Sequence, residues 1–240
     1  MAVAETTSDI VEYYRDYTAR KGPLRNDPLR NPEVLFQMLA AEASVIAGLH
    51  SIDPDPMRAR VLDVGCGDGR SLLPLLRLGF NPANLEGVDI RSDQIAIARA
   101  RYPASCFHCA NARALPFQDA RFDVVQESMM FLQMTDQEMA ANVAQEMIRV
   151  TKPGGFLLLL DWRYSKPGSS EFKALDKRRI GELFRVGHLS SILGTFPGAL
   201  VPPVGRFLSK HSRASYFLVQ RLLPFAVGQV TTILVRNLAA

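Results

Sequence analysis

Between Arg60 and Asp161 the chain alternates short apolar runs with stretches whose apolar residues recur every three or four positions. The runs Arg60–Val64, Leu85–Ile90, Ser105–Cys109, Phe122–Gln126 and Phe156–Asp161 predict β-strands. Arg70–Leu78, Ser92–Tyr102 and Thr135–Val150 predict helices, the second capped by Ser92 and the third opened by a capping box of Thr135 and Glu138. Gly65–Gly69 and Lys152–Gly155 supply turns. Strands that alternate with helices at this spacing, some of them apolar on both faces, predict an α/β fold built on a doubly wound, mostly parallel sheet.

The flanks follow other patterns. Upstream, Ile10, Tyr13, Tyr14 and Tyr17 share a helical face, and Asn31-Pro32-Glu33 reads as N-cap, N1 proline and first-turn acid of a helix to about Leu49. Asp53-Pro54-Asp55-Pro56 is a linker, because a residue before proline is pushed out of the helical region. Beyond Trp162 the alternation stops. Amphipathic helices are expected over roughly 170–187 and 206–223, and Gln229–Arg236 returns to strand character. The expected organisation is therefore N-terminal helices or a lid over 1–52, a core over 53–163, a helical cap over 164–226 inserted before the last strand, and that strand in 227–240.

Composition narrows the function classes. At 240 residues, 48% hydrophobic and 22% charged, the chain is globular rather than disordered. Its three cysteines, Cys66, Cys106 and Cys109, are too few for a disulfide framework, so a reducing, cytoplasmic setting is expected. Cys106, His108 and Cys109 share one short strand with no fourth ligand nearby, so no metal site is expected. The first thirty residues hold Glu5, Asp9, Glu12 and Asp16 and no signal-peptide core, and the apolar window Phe217–Val235 is broken by Gln220, Arg221 and Pro224. No transmembrane segment is expected. The net charge of +4 conceals −5 over residues 1–162 and +9 over 163–240. A basic unit of this kind can meet phosphates, acidic sugars, nucleic acid or an anionic membrane.

The sharpest motif is Val61-Leu-Asp-Val-Gly-Cys-Gly-Asp-Gly69, three glycines between a strand and a helix. Such a loop lets the backbone approach a ligand at a helix N-terminus. A dinucleotide fingerprint needs its third glycine at position 70, which is Arg, and Asp63 and Asp68 add negative charge where a pyrophosphate would sit. The loop suits a ligand with a cationic part better than a nicotinamide dinucleotide.

Residues 60–161 resemble the class I S-adenosylmethionine-dependent methyltransferases, specifically their small type 11 group, in five motifs that fall in order. Gly65-Cys66-Gly67-Asp68-Gly69, preceded by Asp63, resembles the segment that holds the amino-acid end of S-adenosylmethionine. Gly87-Val88-Asp89-Ile90 resembles the second-strand motif, and the resemblance implies that Asp89 accepts both ribose hydroxyls. Ala110-Asn111-Ala112 followed by Leu115-Pro116-Phe117 resembles the adenine-binding segment. The family commonly has Asp where this chain has Asn111, whose side-chain carbonyl can accept the same adenine amino group. Phe122–Glu127 resembles the fourth strand, and Arg149–Gly155 the turn into the fifth. The resemblance also implies a lid: in related methyltransferases an aromatic N-terminal helix closes over the cofactor, which makes Tyr13 and Tyr14 lid candidates.

Methyl transfer requires acceptor and methyl held in line in a dry site, with a base where the acceptor is a hydroxyl. Glu127 and Asp161, at the ends of the fourth and fifth strands, and His188 in the cap are the catalytic candidates; Glu127 also suits the cationic cofactor. His211 is a further base candidate, read first as a surface residue. The cap cations Lys177, Arg178, Arg179, Arg185, Arg206, Lys210, Arg213 and Arg221 point to a small anionic or sugar-type acceptor, or to peripheral membrane contact. Gly198–Gly205, Tyr13-Tyr14-Arg15 and Arg25-Asn26-Asp27 are similar to segments of methyltransferases of bacterial surface-polysaccharide assembly, which implies O-methylation of a sugar. The alternatives are another small molecule, such as a quinone precursor or secondary metabolite, then RNA, or a non-catalytic cofactor-binding or membrane-associated protein. The cap shows no recognisable RNA-binding module, which disfavours nucleic acid.

Overall fold

The computed structural model describes residues 11–13, 15, 16, 19, 22, 27–165, 168 and 170–238. Tyr14, one of the two lid candidates, lies outside the described residues. Asn31 caps a turn at Pro32–Val34 by accepting the Glu33 amide, and the chain continues into helix α1, Leu35–Ile52. Then follow β1 (Val61–Val64), α2 (Leu73–Arg77), β2 (Leu85–Asp89), α3 (Ser92–Arg101), β3 (Cys106–Cys109), β4 (Phe122–Ser128), α4 (Gln137–Val150) and β5 (Thr151–Trp162). The C-terminal third contributes α5 (Lys177–Leu183), β6 (Ser190–Pro197), α6 (Pro202–His211), α7 (Arg213–Leu222) and β7 (Gln229–Arg236).

One seven-stranded sheet runs in the order β3-β2-β1-β4-β5-β7-β6. The strands β1 to β5 pair in parallel, and β7 lies antiparallel between β5 and β6. Both faces are covered. On one, Leu62, Val64, Val125, Leu157 and Leu159 meet Val143, Ala144 and Met147 of α4 and Ile180 and Leu183 of α5. On the other, Val61, Val124, Leu158, Leu160 and Ile233 meet Val45 and Leu49 of α1, Leu75 of α2 and Ile95 of α3. A third cluster joins Phe36 and Ala40 of α1 to Leu200, Tyr216 of α7, Val227 and Val230. Pro32–Ile52 has the length and apolar composition of a membrane-crossing helix, yet Phe36, Ala40, Val45 and Leu49 are buried against these clusters.

The last strand joins the core sheet as its sequence suggested, with helices inserted before it. Residues 164–226 differ in detail. They hold β6, an edge strand that the sequence reading left out, because Ser190–Pro197 lacks a clean apolar alternation and carries a register shift between Ile192 and Gly194. The expected helix over 170–187 contracts to Lys177–Leu183. The one over 206–223 divides at Ser212, whose hydroxyl accepts the Ser215 amide and caps α7. Two caps also move by one residue: Asp136, not Thr135, accepts the Met139 amide at the start of α4, and Arg91 takes the cap position of α3 ahead of Ser92.

Candidate functional site

The parallel strands end together at one edge of the sheet, and the motif residues collect there. Gly65, Gly67 and Gly69 follow β1 with φ of 72°, 51° and 80°, which only glycine adopts readily. The loop is tied to its neighbour by the Gly65 and Cys66 amides, which donate to the Val88 carbonyl at 2.8 and 3.0 Å. A Cβ on Gly67 would meet nothing nearer than an Arg91 guanidinium nitrogen at 3.8 Å, so this turn faces open space. Gly87, by contrast, serves packing: a Cβ there would lie 2.7 Å from the Phe107 ring and 2.8 Å from the Cys66 sulfur. Burial pushes the Cys66 thiol up, so it stays protonated and apolar.

Asp89 ends β2 beside this loop. One carboxylate oxygen accepts the Gly67 amide at 2.9 Å and the other accepts the Arg91 amide at 2.9 Å, which fixes the side chain at the mouth of the turn. The Arg91 guanidinium lies 3.8 Å from the same carboxylate, a neighbour that the sequence reading did not single out. Ile90 follows, half-buried. Asn111 sits in the turn after β3, where its side-chain oxygen accepts the Arg113 amide at 3.0 Å. The carbonyl expected to meet an adenine amino group therefore already caps its own turn, with one lone pair remaining. Ala112 is half-buried beside it.

Three buried carboxylates lie at this edge. Asp63 is fully buried; Ser71 donates to one of its oxygens, and the other has no hydrogen-bond partner among the described residues. Burial raises its pKa to about 7, opposed by the Ser71 hydrogen bond and the nearby Gln126 amide group. Glu127 accepts the Met130 amide at 2.9 Å through Oε2, while Oε1 is likewise buried and unpartnered among the described residues. Burial, and then the charge of Asp161, hold its carboxyl well above the usual range. Asp161 is committed differently: Oδ1 accepts the Trp162 amide at 2.6 Å and Oδ2 the Leu132 amide at 2.7 Å. Burial raises its pKa to about 7, opposed by those amides and by the charge of Arg179. Asp68 points elsewhere, paired with Arg70 at 3.0 Å and Arg101 at 2.7 Å, so its charge is already met.

Arg179 departs most from its sequence reading. It is 4% exposed, and its guanidinium donates to the Phe131, Lys173, Ala174 and Met134 carbonyls, the first two at 3.1 and 2.7 Å. It is a buried brace between α5 and the turn after β4, not part of a cationic rim. Its neighbours Lys177 and Arg178 are exposed, and Arg178 pairs with Glu182. His188 is not brought to the site either. It precedes β6 at the opposite, amino edge of the sheet, where Ser190 pairs with Arg236 and the Asn237 amide group donates to the His188 carbonyl. His211, at the end of α6, is exposed and packs on the Phe207 ring.

A cavity of about 430 Å³ opens beside the edge, lined by Arg163, Thr195, Gln220, Arg221, Val227 and Val230 among others. Arg163 comes two residues after Asp161, and Val230 pairs with Asp161 on one side and Pro197 on the other, so this cavity lies at the same end of the sheet as the carboxylates, towards β7 and β6. No pattern in the sequence gathers these residues, because β6 was not recognised.

Comparison with known proteins agrees with this geometry. Residues 61–155 match the family model described as a methyltransferase domain. The chain is 33% identical over 161 residues to the 2-methyl-6-phytyl-1,4-hydroquinone methyltransferase of Synechocystis sp., covering 65% of this chain and 48% of that protein. It is 34% identical over 137 residues to the 27-O-demethylrifamycin SV methyltransferase of Amycolatopsis mediterranei, covering 53% and 48%. The chain thus spans about half the length of the curated relatives it matches. Among solved structures, the cyclase SpnF superposes over 98% of both chains with a TM-score of 0.65 at 20% identity, a likeness of fold. Residues 61–155 thus match a methyltransferase domain, and their ordered motifs and strand order are similar to those of the class I S-adenosylmethionine-dependent methyltransferases.

Proposed function

We propose that this protein transfers a methyl group from S-adenosylmethionine to a small-molecule acceptor. The observation that carries the reading is the open turn at Gly67 held against Asp89, with the unpartnered oxygen of Asp63 buried at the end of the adjacent strand. Residues and cofactor fit. Asp89 would take the ribose hydroxyls, Ile90, Asn111 and Ala112 would border the adenine, and Gly65 to Gly69 with Asp63 would hold the amino-acid end. Bound S-adenosylmethionine supplies an electrophilic methyl on a sulfonium. The chain's part is to position the acceptor in line, exclude water and match charge.

Glu127 is the carboxylate we assign to this charge matching, or to the acceptor, because one oxygen remains uncommitted. Asp161 we read as an anchor, since backbone amides hold both its oxygens and it is buried, whereas Asp89 keeps a partly open face. The acceptor we favour is a small anionic or sugar-type molecule methylated on oxygen, supported by Arg163 and Arg221 in the cavity at the same end of the sheet as the carboxylates. A hydroquinone-type acceptor is the second reading, favoured by the Synechocystis relative. The three free cysteines fit a reducing, cytoplasmic setting.

Calorimetry with S-adenosylmethionine, its demethylated product and NAD tests the cofactor assignment. Binding of the first two and not of NAD is expected, and the reverse overturns it. Transfer of labelled methyl to phosphorylated sugars and to hydroquinones then separates the two acceptor readings.

Two further results are expected at the cofactor cradle. Gly67→Ala places a methyl in open space, so the free protein loses only the left-handed backbone cost, about 1–2 kcal/mol. Affinity for the demethylated product falls at least tenfold, because the methyl fills the cradle. Thermal unfolding and calorimetry on the same variant separate the effects, and unchanged affinity would remove Gly67 from the site. The second result concerns pH. Asp63 has its pKa raised to about 7, so below that pH it must lose a proton before meeting the cofactor's ammonium group. Affinity should rise by up to about tenfold per unit between pH 5.5 and 7 and level off above, with a proton released on binding. The free protein follows the opposite slope, losing stability from about pH 4 to pH 7, because the folded state binds a proton that the unfolded chain has released. Affinity independent of pH would place no titrating carboxylate at the ligand.

A further inference from the structure

The outward face of α7 is apolar. Tyr216 is fully buried, Val219 packs against the same cluster, and Gln220 donates to the Gly198 carbonyl at 2.6 Å, which fixes the inward face of the helix. The opposite face carries Leu218, Arg221 and Leu222, with the part-exposed Phe217 at its border edge-on to Phe36 and Tyr216, and the turn that follows adds Leu223 and Phe225. A helix on a soluble surface ordinarily turns polar residues outward. Here Leu218, Leu222 and Phe225 are 56%, 64% and 69% exposed, and Phe207 of the neighbouring α6 is 63% exposed. Large apolar side chains gathered on two adjacent helices mark an interaction surface.

Charge identifies the occupant. From Leu183 to Ala240 the sequence contains six Lys and Arg and not one Asp or Glu. Arg206 and Lys210 lie on α6 and Arg221 within the apolar face of α7, so cations accompany the exposed Phe and Leu side chains. Two amphipathic helices that pair exposed Phe and Leu with Arg and Lys, with acids absent, match the interface of an anionic bilayer, where rings enter the acyl boundary and cations meet headgroup phosphates.

We propose that α6, α7 and the turn to Phe225 form a peripheral docking surface for an anionic lipid leaflet. The surface adjoins the cavity that holds Arg163 and Arg221, so docking would bring the mouth of that cavity to the headgroup layer. The proposal does not depend on methyl transfer, and its test reads lipid binding directly.

The full chain is sedimented with vesicles of phosphatidylcholine alone and with 30% phosphatidylglycerol. It should pellet with the anionic vesicles at least tenfold more than with the neutral ones, and raising the salt from 0.1 to 0.5 M should reduce that binding severalfold. The triple variant F207S/L222S/F225S should lose vesicle binding at least tenfold, while its thermal stabilisation by the demethylated cofactor is retained, showing that it is folded. No pelleting of the folded wild type, equal binding to both vesicles, or undiminished binding by the triple variant would each overturn the proposal. Sedimentation velocity covers the other occupant: a dimer that the triple variant converts to monomer would make the face a contact between copies of this chain and also overturn it.

Discussion

Replacing Arg179 with leucine should cost the folded protein about 3–5 kcal/mol, the range found when one partner of a buried charged network is removed. The guanidinium satisfies four backbone carbonyls from two segments and faces the carboxylate of Asp161. Leucine fills part of the volume and leaves those carbonyls and Asp161 without their donor and counter-charge. Lysine reaches as a point charge and cannot serve two segments at once, so Arg179→Lys should recover only a minor part. Neutralising Lys177 and Arg178 together, one and two residues before Arg179, should change stability by no more than about 0.5 kcal/mol, because both are exposed. Denaturant unfolding of the three variants checks the contrast. Equal effects across the run would mean that Arg179 is surface-like.

The same run shows how far the sequence could be read. Lys177-Arg178-Arg179 looks uniform as a string, and its third member goes inward only because the Asp176 side chain caps α5 at the Arg179 amide and sets the helix phase. Local pattern was enough for β1 to β4, for Phe156–Asp161 of β5 and for β7, which is rich in β-branched residues; Lys152–Gly155, expected as a turn, lies inside the twelve-residue β5 instead. It was not enough for β6, an edge strand half exposed on one face, whose pairing partner lies beyond two intervening helices. The gathering of the candidate residues at one sheet edge was legible because they sit in contiguous motifs: Asp63 to Gly69, Asp89 with Ile90, Asn111 with Ala112, and Glu127. The cavity was not, since Arg163, Thr195 and Arg221 come from three separate elements. His188 failed as a candidate for the same reason: which edge of the sheet it occupies depends on β6.

Asp89→Ala should weaken binding of the demethylated cofactor by about 1.5–3 kcal/mol, roughly 10- to 150-fold, the worth of hydrogen bonds to a charged group. Two effects add in the same direction. The ligand loses its ribose acceptor, and the Gly67 and Arg91 amides lose the carboxylate that orients the loop. Asp89→Asn separates them, because its single carbonyl oxygen can keep one of the two amides while the charge is gone. It should fall between wild type and alanine. Calorimetry measures all three proteins, and an alanine variant that binds as wild type would place the ribose elsewhere.

The position of β7 has a consequence for the order of folding. Its residues pair with β5 from Phe156 to Trp162 on one side and with β6 on the other, so β5 lacks its second neighbour and the edge strand β6 lacks its partner until Gln229–Arg236 is available. During synthesis the β1 to β5 half can collapse first, with local βα contacts closing short loops. The edge of β5 then stays open as an unpaired row of Leu157 to Leu160 until the last strand leaves the ribosome and inserts antiparallel. Closing that long loop is the slow, non-local step. Until it happens the nascent chain exposes an apolar strand edge, the feature most prone to pairing with another chain.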